Sequence, residues 1–442
     1  MTGRGIILAA KEVSDDARSI VVERRTILAS VWLVIIILGI PAWIWTTEIE
    51  RLGLPAARIA RYSSGSCPVQ LHASATPAEA SIIRAHPQWH CIDTTASAEA
   101  PTWLSKILTQ SREHATAQDA RVVDYAPRYK LVYSLLLQET DAPSDWPIQS
   151  MLRNTLPLLE SLNVLHNFTL ETQVQSFAPL TFEPLDGTAA DGEAHHIIEE
   201  YQLKAFVNTA EWNLATAASL DPVLHFILFV PSERYSPLKI RLSDGSYSST
   251  NAFVSPQWGG VVLADSLDTL KFPEQLNTIS QTFDAQLALL LGVPGRVRSG
   301  HRLEDWQVDA MLLTRTLANT RNGINTLKAI VNLTNTIENM PIGSDVQTDV
   351  TEALHAVEMV QQSWPDDLTG AMKWSAKVNE LSSRAFYHPS MLGLLYFPDE
   401  HKYAVYTPLF GPIAVPLVLG IIKEFKSWRQ GRAGRDKKTK KD

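Results

Sequence analysis

The stretch from Leu224 to Gly260 reads LHFILFVPSERYSPLKIRLSDGSYSSTNAFVSPQWGG and predicts a buried strand that leads into a long loop. Its first part is almost entirely apolar, rich in aromatic and branched side chains, and typical of a strand covered on both faces. Pro231 ends this run, and Ser243-Asp244-Gly245 has the composition of a turn. A second apolar run, YKLVYSLLL from Tyr129, predicts another buried strand. The centre of the chain is therefore predicted to be mixed α/β.

The end of this stretch is a candidate interface. It combines two aromatic residues with a proline and two glycines, a composition that favours a rigid loop. Two interpretations stay open, because amphipathic aromatic residues serve cores and interfaces alike: the rings either fill the core of the domain or form exposed anchors for a partner. The candidate interface residues are Asn251, Phe253, Ser255, Pro256, Trp258, Gly259 and Gly260.

Other elements follow from periodicity. The residues from Ile148 to Leu162 predict a helix, and FTLETQVQSF from Phe168 alternates as a strand exposed on one face would. Pro273 to Leu291 predicts a helix with a proline at its start and Gly292 after its end. Beyond residue 301 the pattern is helical, with a break near Pro341. We therefore expect about 47–300 to be mixed α/β and 301–387 to be helical.

Two apolar runs flank this region. The first, Ile27 to Trp45, has no charged residue over 19 positions, which gives about 28 Å of helix and is enough to cross a bilayer. A cleaved signal peptide is less favoured, because the run ends in tryptophans suited to the membrane interface. The second apolar run is Tyr403 to Ile422. The predicted organisation is an N-terminus (1–25), a transmembrane helix (26–46), an α/β lumenal domain (47–402), a second transmembrane helix (403–422) and a basic tail (423–442).

Charge predicts the orientation. The tail from Lys423 to Asp442 carries net +6 and the first 25 residues carry net +1; since the whole chain carries −8, residues 26–422 carry −15. Basic residues beside membrane spans stay in the cytosol. Both termini are therefore predicted to be cytosolic and the acidic domain lumenal, although Arg51, Arg58 and Arg61 argue mildly the other way. An acidic domain also excludes nucleic-acid binding.

The lumenal assignment bears on covalent modification. The only two cysteines, Cys67 and Cys91, both fall near the start of this domain, and a disulfide between them is slightly favoured over two free thiols. Two glycosylation sequons, at Asn167 and Asn332, also fall in it.

Catalytic patterns are weak. His90-Cys91 is an unconvincing nucleophile and base, because adjacent side chains seldom point at one another. The segment HHIIEE at 195–200 lacks a zinc-binding spacing, and polar residues on a helix face explain it better. The sequence has no phosphate-binding loop, dinucleotide fingerprint or Gly-x-Ser-x-Gly motif. We expect no catalytic residue, no metal and no cofactor.

Three separated regions resemble one family, the S subunit of the glycosylphosphatidylinositol (GPI) transamidase (PIG-S), which includes yeast and fungal members. The first runs from Gly39-Ile40-Pro41-Ala42-Trp43 to Leu54-Pro55. The second comprises Leu224–Pro231, Ser236-Pro237-Leu238, Thr250-Asn251-Ala252-Phe253, Ser255-Pro256 and Trp258-Gly259-Gly260. The third runs from His388-Pro389-Ser390 through Leu394–Glu400 to Tyr406–Phe410. Between the first span and Tyr129 the resemblance cannot be followed.

The resemblance implies a non-catalytic subunit of an endoplasmic reticulum membrane complex that joins GPI to the C-termini of proproteins. The catalytic cysteine of that complex belongs to PIG-K, a caspase-like subunit. The implied partners are PIG-K, PIG-T, PIG-U and the GPI-anchor attachment protein, together with membrane lipid. Two alternatives are a lumenal thiol hydrolase that uses Cys91 and a module that recognises substrate or lipid through residues 251–260.

The C-terminal region carries two further signals. Pro408, Pro412 and Pro416 recur about once per helical turn, which predicts either packing against partner spans or a merely bent anchor. Lys438 and Lys440 resemble a dilysine retrieval signal, and a plain charged tail is the alternative.

Overall fold

The computed structural model describes residues 22–47, 51–62, 71–85, 89, 91–96, 101–113, 122–139, 146–188, 194–207, 221–337 and 340–391, with 404, 408, 410–412, 414–426 and 429 in the C-terminal segment. The chain divides into two compact units. The larger contains Pro55–Val331 and Thr348–Phe386, and the smaller contains Met1–Leu54, Asn332–Gln347 and Tyr387–Asp442.

A five-stranded sheet forms the centre of the larger unit. Its strands are β3 (Arg128–Leu137), β4 (Asn167–Gln175), β7 (Val223–Val230), β9 (Ala252–Ser255) and β10 (Gly259–Leu263). Their order in the sheet is β4-β3-β7-β10-β9, in which the first four strands are parallel and β9 is antiparallel to β10. The two apolar runs predicted as buried strands are thus the adjacent central strands β3 and β7.

One face of the sheet packs against helices. Helix α6 (Ile148–Leu162) connects β3 to β4, and α8 (Pro273–Leu291) follows β10. Alternate residues of the central strands, such as Tyr133 and Phe226, point into this core together with Phe283 of α8. Helix α8 ends at Gly292, whose φ of 77° requires a left-handed conformation that glycine adopts most easily. Both helices have the predicted bounds.

The opposite face packs against a smaller sheet of order β5-β6-β8, with β5 (Leu185–Thr188), β6 (Ala194–Glu199) and β8 (Leu238–Arg241), and against the short helix α7 (Leu203–Phe206). Ile227 and Phe229, the alternate residues of β7, form this second core with Ile198, Phe206 and Ile240. Burial on both faces explains why the sequence of β7 does not alternate between apolar and polar residues.

The remaining elements surround this centre. A two-stranded parallel sheet pairs β1 (Leu71–Ala75) with β2 (Ile92–Ala96) and packs against α4 (Pro77–Ala85), which also contacts α5 (Thr102–Glu113). Helix α3 (Ala56–Arg61) carries Arg58, which pairs with Glu358 at 2.8 Å. The helical region consists of α9 (Asp305–Thr336), α10 (Ser344–Ser363) and α11 (Leu368–Phe386). Short 3-10 turns lie at Glu200–Gln202, Glu233–Tyr235 and Leu267–Lys271. The predicted break near Pro341 lies between α9 and α10.

The smaller unit contains the N-terminal apolar helix. Helix α1 (22–34), a π-helical turn (Ile35–Gly39) and α2 (Ile40–Thr47) form one continuous helix, and its part Val22–Trp43 is long and apolar enough to cross a membrane. It is the one such helix among the described residues. Toward the C-terminus, the described residues 414–426 form a helix, here called α12, which begins within the second predicted span and continues four residues into the predicted tail.

Candidate interface around residues 251–260

The candidate interface is a β-hairpin formed by β9 and β10. The amide of Trp258 donates to the Ser255 carbonyl (3.2 Å), and Gln257 has a φ of 59°. Pro256 with a positive-φ residue directly after it is the arrangement of a type II turn. This tight turn joins two paired strands, so the segment that the composition predicted to be a rigid loop is a β-hairpin.

Asn251 connects three strands. Its side-chain oxygen accepts a hydrogen bond from the amide of Ile240 (3.1 Å), and its side-chain nitrogen donates to the Leu238 carbonyl (2.7 Å). Its main-chain carbonyl accepts from the amide of Leu263 (3.0 Å). Asn251 adopts a φ of 48°, which asparagine tolerates better than most residues. Asn251 thereby fixes the start of β9 to β8 and β10.

Phe253 belongs partly to the core. Its ring packs edge-on against Phe206 with a centroid distance of 5.5 Å, and its side chain contacts the second core while remaining half-buried. In this position it supports the fold, and only part of the ring is available to a partner.

Trp258 stacks on His225, with ring centroids 4.8 Å apart. His225 is a buried polar residue within the apolar run of β7, and its Nδ1 has no hydrogen-bond partner among the described residues. Burial, together with the nearby Lys130 ammonium, lowers the pKa of His225. The neutral imidazole therefore acts as a flat surface for the indole ring.

Lys130 lies on β3 beside this pair. Its side chain is 5% exposed, and its Nζ lies 2.5 Å from Glu171 Oε1 on β4. Such pairing makes the burial of an ammonium group tolerable. Lys130 and His225 were not singled out from the sequence, although a polar residue inside an apolar strand run is the signal that could have identified them.

The two glycines at the start of β10 are required by close packing. A Cβ at Gly259 would lie 1.9 Å from the His225 carbonyl oxygen, and a Cβ at Gly260 would lie 2.0 Å from Gln286 Oε1. The Gln286 side chain of α8 donates to the carbonyls of Phe253 and Val261, both at 3.1 Å. The buried side-chain amide of Gln286 thus connects both strands of the hairpin to α8.

The candidate interface residues differ in their exposure to solvent. Pro256 and its neighbour Gln257 are exposed at the tip, Asn251, Phe253, Ser255 and Trp258 are half-buried, and the two glycines are buried. A surface for a partner can include the tip and the outer edges of the two rings. The two aromatic rings therefore contribute to the core, and their role as anchors for a partner stays a prediction.

The structure corrects the explanation of HHIIEE. His195, His196 and Glu199 belong to strand β6, and not to a helix. Successive strand side chains point to opposite faces. His195 Nε2 lies 2.9 Å from the Tyr247 hydroxyl, whereas His196 Nε2 lies 3.4 Å from Asp186 Oδ1. These groups do not converge on one point, and no cluster of metal-binding side chains occurs among the described residues.

Cys91 is buried. Arg321 Nη2 lies 3.4 Å from its Sγ. Cys67 and His90 lie outside the described residues, so the Cys67–Cys91 pairing stays a prediction.

The remaining candidates are at the surface or outside the described residues. Asn167 begins the strand β4, Asn332 lies in α9, and both side chains are exposed. Pro408, Pro412 and Pro416 are helical and exposed. The lysines of the predicted retrieval signal, Lys438 and Lys440, lie outside the described residues.

The fold and site define a class: an α/β domain with a helical layer, carried in one chain with a helix of membrane-spanning length, and with a rigid hairpin as its best candidate interface. The family model "Phosphatidylinositol-glycan biosynthesis class S protein" matches residues 30–100 and 80–431. The chain belongs to this family, PIG-S.

Several named relatives share this similarity. The chain is 33% identical over 327 residues to the mouse (Mus musculus) protein named GPI-anchor transamidase component PIGS, covering 68% of this chain and 58% of that protein. It is 32% identical over 340 residues to the human (Homo sapiens) protein of the same name, covering 71% and 61% respectively. The GPI transamidase component PIG-S homolog of Schizosaccharomyces pombe is 28% identical over 327 residues, covering 72% and 58%. The chain thus spans about three-fifths of the length of these relatives.

Proposed function

We propose that this chain is a non-catalytic, structural subunit of the GPI transamidase complex in the endoplasmic reticulum membrane, which attaches GPI anchors to the C-termini of proproteins. The single observation that carries the proposal is the family match that extends from residue 30 to residue 431. It includes most of the first apolar run, all of the second and the α/β domain between them. The names of the mouse, human and fission yeast relatives support the same complex.

The proposed partners are PIG-K as the catalytic subunit, PIG-T, PIG-U and the GPI-anchor attachment protein. The test is affinity purification of the tagged full chain in mild detergent, followed by mass spectrometry. We expect PIG-K and PIG-T to co-purify. Their absence would reject the proposal.

The proposed topology has two spans, cytosolic termini and a lumenal domain. The apolar helix Val22–Trp43 supports the first span, and the helical residues 414–422 support the second. Because Asn167 and Asn332 are exposed, we expect the domain to carry glycans that a glycosidase removes. Glycosidase treatment should increase the electrophoretic mobility of the chain, and this change should become smaller in Asn167→Gln and disappear when Asn332→Gln is added. An unglycosylated chain whose domain is digested by protease in intact microsomes would contradict this topology.

The three prolines of the second span are proposed to pack against partner spans, since their side chains are exposed within this chain. Triple substitution of Pro408, Pro412 and Pro416 by leucine keeps the span apolar while changing its shape. We expect weaker co-purification of the other subunits. Unchanged co-purification would reject this packing.

A thiol hydrolase that uses Cys91 is the weaker alternative, because a reactive nucleophile must be an accessible thiolate and Cys91 is buried. This alternative predicts that Cys91→Ala abolishes GPI attachment while the complex still assembles. We expect GPI attachment to continue in Cys91→Ala, and we expect any decrease in attachment to be proportional to the decrease in folded protein.

A recognition role for residues 251–260 is a second alternative, supported by the exposed tip at Pro256 and Gln257. Pro256→Ala with Gln257→Ala should then reduce GPI attachment and leave co-purification of PIG-K intact. If GPI attachment and co-purification of PIG-K were both lost, the tip would instead be required for assembly of the complex.

A further inference from the structure

A groove in the smaller unit lies between the N-terminal helix α1 and the C-terminal helix α12. It has a volume of about 380 Å³ and is lined by Arg25, Leu28, Ala29 and Trp32 on α1 and by Ile421 and Phe425 on α12. The two helices approach closely beside it, because a Cβ at Gly420 would lie 3.1 Å from the Leu28 side chain.

One end of the groove is positively charged. Glu424 accepts hydrogen bonds from Arg24 and, at 2.6 Å, from Arg25. Two guanidinium groups against one carboxylate leave a net charge of +1. Lys423 and Lys426 add two positive charges from neighbouring exposed positions and Glu23 adds one negative charge, which leaves a net charge of +2 at this end. An anionic group at this end would neutralise the excess charge, as phosphate groups commonly do with arginine.

The rest of the groove is apolar and extends along the helix. From Arg25 to Trp32 the helix rises by about 10 Å, so the groove leads from the charged end into the apolar part of the span. The small side chain of Ala29 leaves space between Leu28 and Trp32. Trp32 lines this apolar end of the groove.

We propose that this groove binds one anionic glycerophospholipid, with its phosphate at Arg24 and Arg25 and one acyl chain along Leu28, Ala29 and Trp32. The inference rests on the proposed membrane placement of both helices. The charge complementarity and the apolar lining together fit a lipid, because a soluble anion would use only the charged end.

The test uses the purified full chain in phosphatidylcholine nanodiscs that contain a trace of phosphatidylserine with a diazirine on its acyl chain. A phosphatidylcholine with the same diazirine on its acyl chain is the control probe, because its headgroup has no net charge. Mapping the labelled residues by mass spectrometry should place the anionic probe at Ala29 and Ile421, with a preference over the neutral probe. Arg25→Gln should lower this preference roughly five-fold, since one basic residue at an anionic bilayer surface has about that effect.

A filling substitution separates the groove from general lipid contact. Ala29→Trp should abolish labelling at Ile421, whereas the matched control Leu33→Trp, at an exposed position on the same helix, should leave it unchanged. Equal labelling by both probes, unaffected by Ala29→Trp, would overturn the inference.

Two further outcomes are distinguishable. Labelling at the exposed residues Leu33 and Ile37 without labelling in the groove would reject the lipid site and leave the membrane placement standing. An absence of labelling along the whole helix would reject the membrane placement itself, and the lipid site with it.

Discussion

Arg315 shows how a single charged side chain can hold several segments together. From α9 it donates to the Val123 carbonyl at 3.1 Å and to the Leu291 carbonyl at 3.0 Å. Leu291 is the last residue of α8, where the helix dipole favours a positive charge. Burial lowers the pKa of Arg315, and the carbonyl contacts compensate for part of that loss of hydration.

Replacing Arg315 by methionine should therefore destabilise the fold by about 2–3 kcal/mol, because two enclosed carbonyls lose their donors. Thermal unfolding of the full chain in detergent measures the effect. The control is Arg302→Met, which removes a pair with Glu160 whose side chains are 70% and 56% exposed and should cost below about 1 kcal/mol. Equal effects of the two substitutions would contradict this role for Arg315.

His166 makes stability depend on pH. It is 1% exposed and lies against Tyr125, Tyr129 and Phe168. Its Nδ1 donates to the Ala126 carbonyl at 2.6 Å, while Nε2 has no partner among the described residues. Burial lowers the pKa of His166 from 6.5 to about 4, because a second proton would be enclosed without an acceptor.

Between pH 6.5 and about 4 the unfolded chain thus binds a proton at this site that the folded chain does not. Stability must fall as the pH falls through this range, by as much as ~3 kcal/mol. His166→Asn keeps a donor for Ala126 and should flatten this part of the pH profile of the melting temperature. His355→Asn, at an exposed position in α10, is the control, and an unchanged slope in His166→Asn would contradict the assignment.

At the scale of elements, the hairpin β9–β10 depends on the close approach of β10 to β7. Gly259→Ala would force a Cβ against the His225 carbonyl oxygen, at a distance of 1.9 Å, and backbone cannot move aside as a flexible side chain can. We expect a loss of more than about 3 kcal/mol, or failure to fold.

Gly245→Ala is the control for this substitution. Gly245 has a φ of 85° but no atom within 4 Å of a built Cβ, so alanine there should cost only about 1 kcal/mol of backbone strain. Urea unfolding of both variants measures the difference. Similar losses would show that backbone strain, and not the contact with β7, determines the requirement at Gly259.

Elements were predictable where burial and periodicity agree. The helix Pro273–Leu291 has a start signal, a stop signal and an apolar stripe, and all three are local. The helix predicted for the segment HHIIEE is wrong, because its four polar residues hide the alternation that is typical of a strand. Only the pairing of β6 with β5 and β8 determines its conformation.

At the scale of the whole molecule, the contact between α1 and α12 connects distant parts of the sequence. Glu424→Arg should disrupt the ion pairs with Arg24 and Arg25 and separate the helix ends, since three positive charges would then face one another. The measurement is oxidative cross-linking of Leu28→Cys with Gly420→Cys, which report the contact between these positions.

Cross-linking should fall in Glu424→Arg and recover when Arg24→Glu and Arg25→Glu are added. The matched control Lys423→Glu changes a neighbouring exposed charge and should leave cross-linking intact. Persistent cross-linking in Glu424→Arg would show that apolar packing alone holds the helices together.

Local patterns predict the strands β3 and β7, the helices α6 and α8, the helical region after residue 301 and the apolar N-terminal helix, because burial, periodicity and end signals act within a few residues. The sequence by itself also carries the resemblance to PIG-S, since the family motifs are contiguous. Tertiary structure alone decided how far Phe253 and Trp258 are exposed, that HHIIEE is a strand, and that His225, Lys130 and Gln286 support the hairpin. These features depend on contacts between residues far apart in the chain, whose geometry exists only when the sheet and its helices pack together.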